Sequence, residues 1–380
     1  MKVSLVTPVD IRYSYKATEY LVYEYAKFLK SNGIDTEILI TKGKDGGSQI
    51  ANYSQVKKRY REIPKRKVDC AEMVLPFKYH LFFYDGLPQD SVMYLPFSIY
   101  DYIPNILTKP AGQKYIIGSH GMHLKMGHIV KNHSMLEKTL NAMVRNALRI
   151  NRKEIDNLYC HVINKEQQEY VRKTFGFRPE NILYVPIMIK AKDYHPERNN
   201  SRKLRILHVG GIGKDMQIVL EVIDMLNAMK KLSMFEFYFI GEEDNESKRR
   251  YAHLNNVHFL GMVGDREKIK TMGQCDVIIV PAYETFSKTM LEGLVSGLYV
   301  LTSKRTGSWK DITDLGIKIN VANHGKAEEY MEPLIHLAGL KSKGKVINMH
   351  KAINIKKTEE NFDESVILKK MLELFLKVIE

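Results

Sequence analysis

The sequence predicts an α/β protein of two domains, each built on a parallel β-sheet with helices on its faces. Three observations lead to this fold class. The 380 residues exceed the roughly 250 to 300 residues at which a single hydrophobic core stops growing. Strand-like apolar runs alternate with helix-like segments along both halves of the chain, as in βαβ units. A polar stretch at Lys190–Lys203 separates the halves, so we expect one domain on each side of it.

The first forty residues predict a βαβ unit. A strand at Lys2–Thr7 is followed by a helix at Lys16–Asn32 and by a strand at Asp35–Ile40. Such a unit is a right-handed crossover between parallel strands. Further runs expected to extend the same sheet are Tyr79–Tyr84, Ser91–Leu95, Lys114–Ile117 and Tyr159–Ile163. We assign residues 1–190 to a Rossmann-like domain and residues 191–203 to a linker.

The second half repeats the alternation of strands and helices. Its predicted strands are Leu204–Val209, Phe235–Ile240, Val257–Leu260, Asp276–Val280, Tyr299–Thr302 and Ile317–Asn320. We assign residues 204–358 to a second Rossmann-like domain and residues 359–380 to a C-terminal segment, whose helix at Asp363–Ile379 is expected to pack back on the first domain. Open parallel sheets bind ligands at the carboxyl ends of their strands. The two sheets are therefore expected to face each other across a central cleft.

The composition narrows the class of protein. The hydrophobic fraction of 44% and the charged fraction of 27% are typical of a folded globular protein. No apolar run reaches the ~18 residues that cross a bilayer, and the first residues do not resemble a signal peptide, so we expect a cytoplasmic protein. The three cysteines are far apart and predict neither a zinc site nor a disulfide framework.

The net charge of +14 predicts an anionic partner. Basic residues cluster at Lys57–Lys67, and a helix predicted at Ser134–Leu148 has a basic face. Both are candidates for docking on the cytoplasmic face of an anionic membrane. The alternative is that the helix packs its apolar stripe into the domain and that the charges are simply solvated. Nucleic acid is not expected as a partner, because the sequence has no helix-turn-helix, RRM or zinc pattern.

Two carboxylates flank a predicted helix start. After the strand at Asp276–Val280, Glu284 lies in a loop, and a helix beginning near Ser287 carries Glu292. A helix N-terminus suits a diphosphate, and a carboxylate on the helix can accept hydrogen bonds from a ribose diol. The alternative is that Glu284 is an exposed loop residue and Glu292 an ordinary exposed helix residue.

This segment resembles the family 4 glycosyltransferases, also described as glycosyl transferases group 1. The signature of that family is Glu, seven residues, Glu, with an E-x-F-G opening and a Gly five residues beyond the second Glu. Glu284, Phe286, Glu292 and Gly297 match it, whereas Ser287 replaces a Gly. The upstream runs Phe235–Asp244 and Asn256–Val263 resemble the phosphate-side loop and the base-binding strand of the family.

The resemblance implies roles for the residues of the donor site. In that family the first Glu contacts the donor sugar and the second binds the ribose hydroxyls, which here are Glu284 and Glu292. The other residues that it implies for binding the nucleotide sugar are Phe286, Ser287, Lys288, Thr289, Met262 and Val263.

The resemblance extends to Leu204–Gln217, where the family has an Arg and a Lys that neutralise the diphosphate. Lys214 matches the Lys, but Gly211 stands at the position of the Arg. Lys288 and Arg305 are candidates for the missing charge. The alternative for Lys214 is a charged residue near a helix start, where the helix dipole mildly disfavours it.

One histidine of the first half also matches. His120 follows a predicted strand at the expected cleft, where the family often has a His, and the resemblance implies a hydrogen bond to the donor sugar. Since the chain has 13 histidines, a purely structural role is the alternative.

The resemblance implies a retaining, metal-independent glycosyltransferase of the two-domain GT-B fold. It would move a sugar from a nucleotide-diphosphate sugar, of UDP or GDP type, to a glycan or lipid-linked acceptor. Its predicted catalytic residues are Glu284, His120 and Lys214, and no metal or separate cofactor is expected. Gly211 keeps two alternatives of the same fold open, a nucleotide-sugar epimerase and a non-catalytic protein that binds sugar nucleotides.

Overall fold

The computed structural model describes residues 2–7, 17–41, 58–75, 79–96, 112–118, 142, 146, 157–196, 200–210, 215–242 and 245–380. The chain divides into two compact units. The first consists of Met1–Pro186 together with Leu368–Glu380, and the second of Ile187–Ile367. None of the described helices is long and apolar enough to cross a membrane.

The first unit is built on a parallel sheet. Its strands and helices are β1 (Lys2–Thr7), α1 (Ala17–Ser31), β2 (Asp35–Ile40), β3 (Lys65–Lys67), β4 (Cys70–Leu75), β5 (Tyr79–Tyr84), β6 (Ser91–Leu95), β7 (Tyr115–Ile117), β8 (Leu158–Val162), α2 (Lys165–Phe175) and β9 (Ile182–Tyr184). Seven of the described strands form the sheet, in the order β3-β2-β1-β6-β7-β8-β9. Successive residues of β6, β7 and β8 are buried almost without interruption, because a parallel sheet is covered on both faces.

The run Tyr79–Tyr84 is an exception to the predicted parallel sheet. It forms β5, which pairs antiparallel with β4 in a separate two-stranded sheet, from Cys70 opposite Tyr84 to Leu75 opposite Tyr79. Only residues 76–78 separate the two strands. That connection is too short for the crossover that parallel strands require, and it permits a hairpin instead. The prediction that this run extends the parallel sheet was therefore wrong.

The second unit is a six-stranded parallel sheet within the described residues. Its strands are β10 (Leu204–Val209), β11 (Phe235–Ile240), β12 (Val257–Phe259), β13 (Val277–Val280), β14 (Tyr299–Ser303) and β15 (Asn320–Ala322). Its helices are α3 (Met216–Ala228), α4 (Asn245–Tyr251), α5 (Asp265–Gln274), α6 (Lys288–Val295), α7 (Trp309–Asp314), α8 (Ala327–Ser342) and α9 (Lys351–Phe362). A last helix, α10 (Glu364–Ile379), begins in the second unit and ends in the first.

The strand order of the second unit identifies where a ligand would bind. The order is β12-β11-β10-β13-β14-β15, so the chain moves outward from β10 to β12 and then returns to β13 on the other side of β10. This reversal is a topological switch point, and open α/β sheets bind ligands outside the carboxyl ends of the strands at such a point. A ligand is thus expected to bind at the carboxyl ends of β10 and β13.

The last strand of the second unit begins later than expected. A strand was predicted at Ile317–Asn320, but β15 starts at Asn320. The side chain of Asn354 receives a hydrogen bond from Lys318 N and donates one to Lys318 O, both at 2.8 Å. Because these backbone groups are already satisfied by a side chain, Lys318 does not pair with a neighbouring strand.

Candidate donor-binding site

The loop and helix after β13 begin the site. All four residues of β13 are buried, and α6 starts at the position expected from the sequence. Ser287 is its N-cap, with an extended backbone and a side-chain Oγ that accepts a hydrogen bond from Met290 N at 3.2 Å. The first backbone N–H groups of a helix have no carbonyl partner within the helix and carry a partial positive charge. The N-terminus of α6 therefore favours an anion at the switch point.

Glu292 is buried in the second turn of α6, at 2% exposure. Its Oε1 accepts hydrogen bonds from Tyr194 Oη at 2.7 Å and Lys268 Nζ at 2.9 Å, and Lys288 Nζ lies 3.8 Å from the same oxygen. A buried carboxylate is unfavourable unless it is paired, and these donors supply the pairing. Among the described residues, the hydrogen bonds to the carboxylate are both made to Oε1.

Tyr194 is a permanent donor to this carboxylate. Burial, and then the negative charge of Glu292, raise the pKa of the Tyr194 hydroxyl well above its ordinary value. The phenol therefore keeps its proton at neutral pH and can donate it to the carboxylate. Its hydrogen bond fixes the orientation of Glu292.

Tyr194 and Lys268 were missed by the sequence analysis. Tyr194 lies in the segment that was interpreted as a linker, and Lys268 belongs to the first turns of α5. Their contacts with Glu292 span 98 and 24 residues of sequence, so no local spacing indicates them. The only signal was an aromatic residue within a polar stretch.

Glu284 is held at the carboxyl end of β13 by its backbone. It forms an isolated parallel bridge with Thr306, and its carbonyl accepts a hydrogen bond from Gly307 N at 2.8 Å. Both partners belong to the loop after β14. Its side chain is half-buried, which is compatible with contact to a ligand.

Arg305 joins three loops at this edge of the sheet. Its guanidinium carbon lies 3.7 Å from the ring centroid of Tyr283, the residue before Glu284. Its Nη2 forms an ion pair with Asp215 Oδ2 at 2.9 Å. Asp215 is the N-cap of α3 and has a left-handed backbone, with φ of 57°. The Arg305 side chain, from the loop after β14, thus contacts one residue that follows β10 and one that follows β13.

The strands β10 and β11 both end in glycines. Gly210 and Gly241 have φ values of 136° and 137°, which side chains rarely permit. Their N–H groups donate to Ile240 O at 2.7 Å and to Gly261 O at 2.9 Å. Because neither position carries a side chain, a ligand can approach the backbone closely at this edge.

The remaining residues that the sequence implied differ in their surroundings. Phe286 is buried, and its ring packs edge-on against Phe362 at 5.6 Å between centroids, which anchors the loop that carries Glu284. Thr289 and Val263 are half-buried, and Met262 is exposed in the turn before α5.

Three predicted site residues, Gly211, Lys214 and His120, lie outside the described residues, as does most of the predicted basic helix at Ser134–Leu148. No group of three or more His, Cys, Asp and Glu side chains that could hold a metal ion occurs in the part of the chain that the structure describes. Independence from metal therefore stays a prediction from the sequence.

Comparisons with known proteins give a family match for part of the chain and similar folds for the whole of it. Residues 203–339 match the family model described as glycosyl transferases group 1. No curated protein matches the sequence. A glycosyltransferase from Rickettsia africae ESF-5 is similar in structure, with a TM-score of 0.70, 14% identity and coverage of 100% of this chain and 98% of that chain.

Two further solved structures have the same fold. The Anabaena protein Alr3699/HepE, in complex with UDP and glucose, has a TM-score of 0.67 and 13% identity, and each chain is covered to 99%. A sucrose-phosphate synthase from Thermosynechococcus elongatus has a TM-score of 0.68 and 12% identity, with coverage of 100% of this chain and 99% of that chain.

The fold and the matched domain define the class of protein. The two units are Rossmann-like α/β domains of the GT-B fold, and residues 203–339 form a group 1 glycosyl transferase domain. The chain is therefore a glycosyltransferase, in agreement with the expectation from the sequence.

Proposed function

We propose that this enzyme moves a sugar from a nucleotide-diphosphate sugar to a glycan or lipid-linked acceptor, without a metal ion and with retention of the anomeric configuration. The observation that carries the proposal is the buried carboxylate of Glu292, oriented by Tyr194 and Lys268 beside the N-terminus of α6. A carboxylate with one oxygen held and the other available suits the two hydroxyls of a ribose.

The donor phosphates and the donor sugar then take neighbouring places. The backbone amides at Ser287, Lys288 and Thr289 bind the diphosphate, because the start of α6 is the positive end of the helix dipole and favours an anion. Glu284 contacts the donor sugar. Lys214 and His120, outside the described residues, keep the roles that the sequence resemblance implies for them.

The chemistry requires mainly electrostatic stabilisation. The bond between the anomeric carbon and the β-phosphate oxygen breaks, the acceptor oxygen bonds to the same carbon, and the electron pair stays on the diphosphate. Oriented amides and nearby cations lower the energy of that developing charge. In the retaining route, the acceptor attacks on the face that the diphosphate leaves, and a phosphate oxygen takes the acceptor proton.

The proposal of a lipid-linked acceptor is based on the positive charge of the chain. The net charge of +14 favours an anionic membrane on the cytoplasmic side as the place where a lipid-linked acceptor is met. Within the described part of the basic run, Arg59 pairs with Glu24 and Arg66 with Glu37, and all three residues of β3, Arg66 among them, are exposed. The run thus retains exposed cations for such a surface.

Turnover of a panel of nucleotide sugars, followed by proton NMR with a chelator present, tests this function. We expect the anomeric signal of one donor to disappear while its nucleoside diphosphate accumulates, slowly with water as acceptor and faster with the correct acceptor. Glu284→Gln should slow this conversion at least tenfold. Conversion of one sugar nucleotide into another would identify an epimerase instead, and no conversion in a protein that binds the nucleotides would indicate a non-catalytic relative.

A further inference from the structure

Arg305 is held more firmly than an ordinary surface arginine. Its guanidinium lies on the ring of Tyr283 and pairs with Asp215, and its backbone N–H donates to Ser303 Oγ at 3.2 Å. Its aliphatic stem packs against Gly325, where an added Cβ would lie 2.9 Å from Arg305 Cδ. Because φ at Gly325 is +66°, this position favours glycine. The side chain therefore has a single well-defined place.

Not all N–H donors of the Arg305 guanidinium have a hydrogen-bond partner among the described residues. Arginine carries five N–H donors, and the closest contact of the ion pair with Asp215 is made by Nη2. Its Nε is buried and has no hydrogen-bond partner among the described residues. The side chain as a whole is 21% exposed. A fixed, partly exposed guanidinium is suited to phosphate, whose oxygens accept hydrogen bonds from its terminal N–H groups.

The loop that carries Arg305 is tied directly to the proposed donor site. The next residue, Thr306, forms the backbone bridge with Glu284. Ser308, in the same loop, has its Oγ 3.4 Å from the N-cap amide of Ser287 at the start of α6. The cation and the helix N-terminus are therefore parts of one loop assembly at the carboxyl edge of the sheet.

We infer that Arg305 binds the diphosphate of the donor and stabilises it as the leaving group. This assignment rests on the proposed function and adds a positive group to the phosphate site. Asp215 and Tyr283 act as positioning residues, since they contact the guanidinium rather than the nucleotide. The ion pair with Asp215 offsets the cost of a partly buried cation while the site is empty.

Calorimetry with UDP, GDP and ADP on the wild type and on Arg305→Ala tests the assignment. For the diphosphate that binds, we expect the affinity of the variant to fall about 10- to 100-fold, as for the loss of hydrogen bonds between charged groups. The affinity for the corresponding nucleoside, measured by NMR titration, should change less than about twofold, because the nucleoside has no phosphate. Equal losses for the nucleoside and the diphosphate would overturn the assignment, as would no loss for either.

Arg250 provides a matched control. It also pairs with an aspartate, Asp224, at 2.8 Å and lies over a tyrosine, Tyr251, but on helix α4. Arg250→Ala should leave both affinities unchanged. If Arg305→Ala fails to fold, Arg305→Lys keeps a positive charge but loses the planar fork, and the same selective loss is expected, at a few-fold. Absence of binding of all three diphosphates to the folded wild type would instead contradict the proposed function, and this assignment with it.

Discussion

At the scale of single residues, the site depends on how Glu292 is held. A carboxylate at 2% exposure would destabilise the fold if its donors were removed, because a buried charge is unfavourable unless it is paired. Tyr194 and Lys268 both contact Oε1, so one oxygen is committed to the protein. The remaining oxygen is then oriented before any ligand arrives, which reduces the entropic cost of binding.

Replacing Tyr194 with Phe tests this arrangement. We expect the free energy of unfolding to fall by about 1–2 kcal/mol, because a buried carboxylate loses a hydrogen bond. The affinity for the nucleoside diphosphate should fall about three- to tenfold, because Glu292 becomes less well oriented. Urea denaturation measures the first quantity and calorimetry the second.

Tyr238→Phe is the control for this change, since the Tyr238 hydroxyl donates to Glu236 at 3.2 Å on β11. It should leave nucleotide affinity unaltered. A Tyr194→Phe protein that binds as tightly as the wild type would show that the tyrosine has no part in orienting Glu292.

At the scale of secondary-structure elements, a buried histidine links three parts of the first unit. His161 on β8 lies 3.0 Å through Nδ1 from the hydroxyl of Tyr94 on β6, and 2.8 Å through Nε2 from the carbonyl oxygen of Val185, which follows β9. Since a carbonyl only accepts, Nε2 carries the proton and Nδ1 accepts from the tyrosine. The neutral ring thus forms a hydrogen bond with each of its two neighbours.

This histidine predicts a pH dependence of stability. Burial lowers the pKa of His161 to about 4 from its ordinary value of 6.5. Between these two pH values, the unfolded chain therefore binds a proton at this histidine and the folded chain does not. The stabilising contribution is present above pH 6.5 and is lost as the pH falls toward 4, by up to about 1.4 kcal/mol per pH unit.

Urea denaturation of the wild type and of His161→Gln between pH 4 and 7 measures this contribution. We expect the free energy of unfolding to fall more steeply with acid in the wild type, because glutamine does not titrate. The comparison isolates His161 from the carboxylates, which both proteins share. Parallel pH profiles would mean that the histidine is not buried in its neutral form.

Some of the secondary-structure elements could be predicted from the sequence, and others could not. The βαβ unit at the start of the chain and the segment from β13 through α6 were predictable, because apolar runs, an N-cap serine and short connections all indicate the same structure. The pairing of β5 was not, since a strand-like run does not specify its partner. The late start of β15 depends on Asn354, a side chain 36 residues away from Lys318.

At the scale of the whole molecule, the fold was predicted more completely than the site. The alternation of strands and helices determines two parallel sheets, whatever the identity of individual residues. The site also depends on contacts between distant segments, such as Arg305 with Asp215, which no local pattern indicates. Glu284 and Glu292 could be proposed from the sequence because both lie within one loop and helix.

We propose that the molecule as a whole binds nucleotide-diphosphate donors. Calorimetry of UDP, GDP and ADP with the wild type and with Glu292→Gln, without added metal, tests it most directly. We expect one diphosphate to bind the wild type and its affinity to fall at least tenfold in the variant, because a neutral amide is a poorer acceptor for the ribose hydroxyls. The 2′,3′-dideoxy form of that nucleotide, which lacks the diol, should bind both proteins equally.

Glu236→Gln is the matched control, because Glu236 also contacts an arginine, a lysine and a tyrosine but lies on β11. It should bind the diphosphate like the wild type. The predicted result is a loss specific to Glu292 that requires the ribose diol. Failure of the folded wild type to bind any of the three diphosphates, or equal binding by the wild type and Glu292→Gln, would contradict the account.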